Sequence, residues 1–238
     1  KSKEAVFPGI PSSSGVGIGR VVLVTSSSDL KMVPERLTDN PGAEVKLFRE
    51  ALKATKRDMR NLGNGLSGKL SAEEFALFEV YIRLLDDRVL INEVISAIKL
   101  GQAAPSAWST VILKHVRTFQ KMDDPYLRER AADVNDLGVR VLEYLQAKDK
   151  DRAPMPRRIV LVGEDLSATA LADIPVHRLV GIISLKGSSN SHMAIVGRAL
   201  GIPTVMGAIN LPWVELEGQE LIVDGSTGDV ISRATRSV

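Results

Sequence analysis

The chain carries three histidines and no cysteine, so nucleophilic or phosphate-accepting chemistry has few places to reside. His192 follows the small polar run Lys186-Gly187-Ser188-Ser189-Asn190-Ser191 and opens the run Met193-Ala194-Ile195-Val196, which predicts a short helix ended by Gly201. A histidine at a helix start lies beside backbone N–H groups that have no intrahelical partner, and beside the positive end of the helix dipole. That setting favours an anion, phosphate above all. It also disfavours the imidazolium, which keeps the ring neutral and nucleophilic near neutral pH. The hydroxyl and amide side chains of Ser188, Ser189, Asn190 and Ser191 can bond phosphate oxygens without crowding them. The same spacing also fits a histidine serving only as part of a helix cap, because small polar loops before helices are common. His115 falls on the apolar face of a helical segment and is expected to be a core or rim residue; His177, between Val176 and Arg178, is expected at the surface.

Two textures position these residues. Residues 1 to about 25 and about 155 to 238 are rich in Val, Ile, Gly and Pro in short runs, whereas about 40 to 147 read as successive helices. A helical block inserted in a strand-rich domain is the simplest account. Near the start, Gly15, Gly17 and Gly19 invite comparison with a dinucleotide-binding loop, but that motif needs a strand before it and a helix after it. Here the β-branched run Arg20-Val21-Val22-Leu23-Val24 follows, so close backbone approach is the better reading of the glycines.

In the insert, Val45, Phe48, Leu52, Thr55, Met59 and Leu62 form a heptad stripe on a helix starting near Ala43, with Gly63 and Gly65 expected to end it in a left-handed cap. Ser71-Ala72-Glu73-Glu74 is a capping box for a second helix through Phe75, Phe78, Ile82 and Leu85. A third runs from about Arg88 to Leu100, and a fourth carries Trp108, Val111, Ile112, His115, Val116 and Phe119 on one side. The fifth opens at Asp124-Pro125 and repeats Leu127, Ala131, Val134, Gly138, Val141 and Leu145. Such stripes predict an antiparallel bundle. Beyond it, strands are expected at 159–162, 179–183 and 203–206, and a hairpin across 221–231.

The composition narrows the function classes. Lys and Arg number 31 against 29 Asp and Glu, and the few aromatics are scattered, which argues against nucleic acid. The absence of cysteine removes disulfides, thiolate catalysis and Cys-based zinc sites. No apolar run approaches the ~20 residues that span a bilayer, and Lys1-Ser2-Lys3-Glu4 lacks the stretch of a signal peptide, so a cytoplasmic location is expected. The chain lacks an initiator Met and is expected to be a piece of a longer one.

The run Gly187-Ser188-Ser189-Asn190-Ser191-His192-Met193-Ala194-Ile195-Val196-Gly197-Arg198 is similar to the phosphohistidine signature of enzyme I and its relatives, G-G-x-T-S-H-x-[AS]-I-x-A-R. Ala199 through Gly207, the closing Leu221-Ile222-Val223-Asp224-Gly225, the helical segment Asp124 through Gly138, Phe78 through Asp87 and the opening Gly9 through Gly19 also resemble that family. The resemblance spans nearly the whole chain and is nearest to the nitrogen-type enzyme I of the phosphoenolpyruvate-dependent phosphotransferase system. Three positions depart: Ser188 stands for a glycine, Asn190 for a threonine and Gly197 for an alanine. An upstream threonine that helps hold the family's histidine aligns with Leu171, with Ser167 and Thr169 close by, which leaves that contact open.

The resemblance implies an α/β fold: a swivelling phosphohistidine domain (a β/β/α-like sheet with short helices) over 1–30 and 147–238, with an inserted all-α helical-bundle, carrier-binding subdomain over 31–146. It implies a phosphotransferase in which His192 is transiently phosphorylated and passes the group to a histidine phosphocarrier protein, HPr or its nitrogen-branch homologue. Gly187, Ser188, Ser189, Asn190 and Ser191 would support the phosphate. Arg198, about six residues along and roughly 9 Å away, suits direct contact less well and anchoring equally well. Carrier contacts are implied for Tyr81, Arg83, Leu84, Asp87, Leu127 and Arg130, with core packing as the alternative for Leu84 and Leu127. No metal or cofactor is expected in this fragment; phosphoenolpyruvate and Mg²⁺ belong to a C-terminal domain expected elsewhere. Two alternatives stand beside this reading: the phosphohistidine domain of a dikinase or phosphoenolpyruvate synthase, and a non-catalytic regulatory module that binds a phosphocarrier.

Overall fold

Short β-branched runs punctuated by glycine and proline become strands, and the heptad-striped middle becomes helices. The computed structural model describes residues 4–25, 28–146 and 154–233. The chain divides into two units, Lys1–Thr25 with Leu66–Glu74 and Asp151–Val238 in one, and Ser26–Gly65 with Phe75–Lys150 in the other.

The first unit is built on one eight-stranded sheet. Its strands are β1 (Glu4–Pro8), β2 (Ile10–Ser13), β3 (Val16–Val24), β4 (Ile159–Gly163), β5 (Leu179–Ser184), β6 (Thr204–Met206), β7 (Glu220–Asp224) and β8 (Asp229–Arg233). They lie in the order β1-β8-β7-β3-β4-β5-β6-β2. Strands β3, β4, β5 and β6 run parallel, and the flanking pairs are antiparallel. Only Gly9 separates β1 from β2, yet these strands occupy opposite ends of the order. The sheet therefore curls until its ends meet, and the Gly9 N–H donates to the Gly228 carbonyl at 2.8 Å. Val21, Val160, Ile183, Val205, Leu221 and Val223 fill the interior. The expected hairpin is β7–β8, its turn held by the Asp224 carboxylate, which accepts from the Ser226 and Thr227 amides. Gly17 and Gly19 sit inside β3, and a Cβ on Gly17 would overlap the Val180 carbonyl oxygen. Close approach, not nucleotide binding, explains the opening glycines.

The second unit holds α1 (Pro41–Leu66), α2 (Ala72–Leu85), α3 (Arg88–Lys99), α4 (Ala104–Gln120) and α5 (Pro125–Leu145), apart from the stretch of α1 and α2 that borders Leu66–Glu74. The α1 stripe is buried as expected at Phe48, Leu52, Thr55, Met59 and Leu62. The capping box forms: the Glu74 carboxylate accepts from the Ser71 amide at 2.8 Å, and the Ser71 hydroxyl accepts from the Glu74 amide at 3.2 Å. Helices α4 and α5 approach closely at Gly138, whose carbonyl accepts from the buried Trp108 indole at 2.9 Å. Between α1 and α5, the Asp58 carboxylate accepts from Arg140 at 2.6 Å and from the Tyr144 hydroxyl at 2.6 Å.

Two expectations are corrected. Gly63 and Gly65 do not end α1: neither has a positive φ, and the helix continues to Leu66 before a turn in which Gly68 does. A glycine inside a helix costs only about 1 kcal/mol, which buried Leu62 and Leu66 outweigh. In α2 the buried set is Leu77, Phe78, Tyr81 and Leu85, so the helix is rotated from the expected face and Phe75 and Ile82 are only half-buried.

Burial raises the Tyr81 hydroxyl well above its ordinary pKa, with Asp133 and Asp136 adding to it. Burial and the Asp58 hydrogen bond raise that of Tyr144. In the unfolded chain both ionise near about pH 10. Above that pH the unfolded state has released protons that the folded state still holds, so this stability is present below about pH 10 and is lost as pH rises through the folded values. The urea midpoint is expected to fall steeply on the alkaline side, and Tyr81→Phe to fall less; equal slopes for the two proteins would contradict the assignment.

Candidate functional site

Strands β5 and β6 are parallel neighbours, so the chain must cross back between them. Helix α6 (His192–Leu200) is that crossover, and the loop 185–191 joins the end of β5 to its start. His192 therefore sits beyond the C-terminal ends of parallel strands, where ligand sites of α/β sheets gather.

The loop is tied down at its base. The Leu185 amide donates to the Gly163 carbonyl at 3.1 Å and the Lys186 amide to the Glu164 carbonyl at 2.8 Å. The Lys186 ammonium also pairs with the Glu164 carboxylate at 2.8 Å, an interaction that raises its pKa. Below them the buried Ser184 hydroxyl accepts from the Leu166 amide. Gly187 has φ +93°, a conformation that a side chain would strain. The Ser188 hydroxyl accepts from the Asn190 amide, and the Ser188 carbonyl from the Ser191 amide. Ser191 caps the helix, its hydroxyl accepting from the Ala194 amide at 3.4 Å. That leaves the first-turn amides beside His192, which by helix geometry have no intrahelical carbonyl. Gly187, Ser188 and Asn190 are exposed, whereas Ser189, Ser191 and His192 are half-buried.

Arg198 reaches the backbone of the loop. Its Nη1 donates to the Ser12 carbonyl at 3.0 Å and to the Ser189 carbonyl at 2.8 Å, anchoring the loop to β2. Gly197 has its own reason: a Cβ there would overlap the Oγ1 of buried Thr204, which donates to the Ile202 carbonyl at 2.9 Å. The turn Ala168–Asp173 packs against α6. Leu171 is buried there, while the Ser167 and Thr169 hydroxyls lie 2.7 Å apart and bond each other.

The expected carrier contacts divide. Arg83 is exposed, and Leu84 and Leu127 are half-buried. Asp87 is exposed and caps α3, accepting from the Val89 and Leu90 amides. Arg130 pairs with Asp133 at 2.9 Å. Tyr81, expected among the carrier contacts, is only 1% exposed and lies on the buried face of the rotated α2, which takes it out of that surface. His177 is exposed, and His115 is half-buried, 3.6 Å from Glu93. Ser12, Ser184 and Glu164 support the site without having been expected. Ser12 lies 186 residues from Arg198, and no local pattern signals such a contact. Among the described residues no group of three His, Asp or Glu could hold a metal, and no helix is long and apolar enough to cross a membrane.

A sheet whose parallel crossover presents a histidine on a glycine-started polar loop, with a helical segment entered after β3, defines a class: the chain belongs to the phosphoenolpyruvate-utilising enzymes. Residues 8–130 match the family model "PEP-utilising enzyme, N-terminal", and residues 155–228 match "PEP-utilising enzyme, mobile domain". Within that class it belongs with the N-terminal region of enzyme I. The solved "N-terminal domain of Enzyme 1 - Nitrogen" superposes with a TM-score of 0.75 at 34% identity, covering 95% of this chain and 93% of that one. The "Phosphoenolpyruvate-dependent phosphotransferase system" protein of Escherichia coli (strain K12) is 36% identical over 222 residues, 93% of this chain and 30% of that protein. The "Phosphoenolpyruvate-protein phosphotransferase" of Staphylococcus aureus (strain MRSA252) is 33% identical over 232 residues, 97% of this chain and 40% of its own length. The chain thus spans well under half the length of these relatives.

Arg198→Gln is expected to leave the fold intact, cost about 1 kcal/mol in urea unfolding, and speed amide hydrogen exchange at Ser188–Ser191. Unchanged exchange there would show that the loop does not depend on the guanidinium. Gly197→Ala is expected to lower stability by about 1–3 kcal/mol through overlap with the Thr204 Oγ1, and pairing it with Thr204→Ala, which removes that oxygen, tests the partner directly.

Proposed function

We propose that this chain is the phosphoryl-transfer portion of a phosphoenolpyruvate-protein phosphotransferase of the nitrogen type, acting in the cytoplasm. In this reading His192 exchanges a phosphoryl group with a histidine on a phosphocarrier protein. The observation that carries it is the place of His192: half-buried at the first position of α6, on an anchored polar loop at the ends of parallel strands. The residues 1–30 with 147–238 would form the phosphohistidine domain and 31–146 the carrier-binding subdomain.

The transfer is balanced within two imidazoles. The lone pair of the neutral His192 Nε2 forms a bond to phosphorus as the carrier's P–N bond breaks and its electron pair returns to the carrier ring. Both sides keep one phosphorylated imidazole, so the step is reversible and in-line. Positioning and charge stabilisation carry most of such a reaction. The loop from Gly187 to Ser191 and the amides of the first turn of α6 would hold the phosphoryl oxygens, and Arg198 would act through the loop backbone. The carrier would dock on Arg83, Leu84, Asp87, Leu127 and Arg130, where an arginine beside half-buried apolar side chains suits a transient interface. Phosphoenolpyruvate and Mg²⁺ would act in a further domain of the longer protein. The described residues offer no cluster of metal ligands, and no step here passes through the ion.

Mixing the chain with phosphorylated carrier is expected to add the mass of one phosphate, lost in His192→Ala, whereas phosphoenolpyruvate with Mg²⁺ alone adds none. Labelling of the His192→Ala variant would overturn the assignment. Leu84→Asp or Leu127→Asp should slow exchange at least tenfold with His192 intact, as expected when an interface anchor worth more than about 1.4 kcal/mol is lost.

A further inference from the structure

Gly63 lies inside α1, is buried, and has helical backbone angles, so no turn requires a glycine there. A Cβ at this position would rest 3.5 Å from the Cβ of Phe78, an ordinary contact. Alanine would therefore fit and would suit the helix better. What the glycine leaves is space. Between the C-terminal half of α1 and α2 lies an open cavity of about 310 Å³, lined entirely by residues of the helical unit. Met59, Phe75, Phe78 and Ile82 give it an apolar lining, to which Arg60 and Arg83 add two cations. Neither arginine has a hydrogen-bond or ion-pair partner among the described residues. The nearby Asp86 is already paired with Lys56. Glu79 and Asn64 complete the polar lining, which carries two cations against one carboxylate.

We propose that this cavity is a binding site for a small amphipathic carboxylate. Its apolar body would lie on Phe75, Phe78 and Ile82, and its carboxylate between Arg60 and Arg83. Most of the lining surface is apolar, and an apolar pocket with a few polar groups is the usual form of a small-molecule site. The guanidinium fork matches the planar, two-oxygen geometry of a carboxylate. The volume is at the small end for such sites, which fits a body of one aromatic ring or one branched aliphatic chain. The site does not involve His192, and it shares Arg83 with the carrier surface proposed above.

The test is titration of the isotope-labelled chain with 3-phenylpropionate, followed by amide NMR. Saturable shifts are expected within 59–64 and 75–83, with a Kd on the order of 1 mM for so small a ligand. The neutral 3-phenylpropionamide and acetate should each bind at least roughly tenfold more weakly, one lacking the charge and the other the body. The double variant Arg60→Met with Arg83→Met should lose at least roughly tenfold in affinity. Gly63→Ala should melt at a higher temperature and lose the binding. No saturation, equal affinity for the amide, or undiminished binding by a folded Gly63→Ala protein would each overturn the proposal.

Discussion

A parallel strand pair cannot be joined by a tight turn, and the molecule's chemistry follows from that restriction. Once β5 and β6 are parallel, the chain must climb over the sheet and return, and a helix is the shortest structure that satisfies its own backbone while doing so. A helix start brings amides without carbonyl partners, and those amides must meet a cap, water or a ligand. Ser191 answers for one of them, and His192 stands beside the others. The reactive position is thus chosen by backbone hydrogen bonding before any side-chain chemistry is considered. Glu164, Ser184, Ser12 and Arg198 then turn a generic loop into a fixed one, Glu164 and Ser12 through their carbonyls, Ser184 through its hydroxyl and Arg198 through its guanidinium.

The helical unit meets a different demand. Its stripes are long enough to bury large side chains, and most of its buried polar groups are matched, with the Gln102 Oε1 and His115 Nε2 atoms as exceptions. Trp108 has the Gly138 carbonyl, Thr55 has the Ala51 carbonyl, and Arg140 is satisfied by Asp58 and Glu143 while lying over the Tyr144 ring. Such polar contacts bring little net stability against an apolar alternative, but leaving any of them half-made is costly. They fix the register of α1 and α4 against α5.

What could be read from residues alone was whatever local geometry decides. The capping box at Ser71 and Glu74, the stop at Gly201 and the turn at Asp224 each involve residues within four positions, and each was legible. The site histidine was legible because small polar residues and a helix start adjoin it in sequence. Order in the sheet was not, since nothing local in β1 and β2 says that one pairs with β8 and the other with β6. Nor was the rotation of α2: with Phe75, Leu77, Phe78, Tyr81, Ile82 and Leu85 all apolar or amphipathic, two faces compete, and only the neighbours decide. Arg198 was undecided for the same reason, because its partner arrives from the far end of the chain. The departure of Gly197 from the family signature was visible as a difference, but its cause, Thr204 filling the missing methyl's place, is a contact across space.

The pairing of β1 with β8 couples the two extremities of the fold. Glu4 faces Arg233 and Pro8 faces Asp229, so the first residues of the sheet shield the last. Proteolytic trimming of that leading segment would uncover the outer flank of β8, more than two hundred positions downstream. A bare row of amides and carbonyls there, bordered by the β-branched Val230 and Ile231, is the kind of edge that recruits foreign strands. That edge of the α/β unit is therefore covered by a five-residue strand.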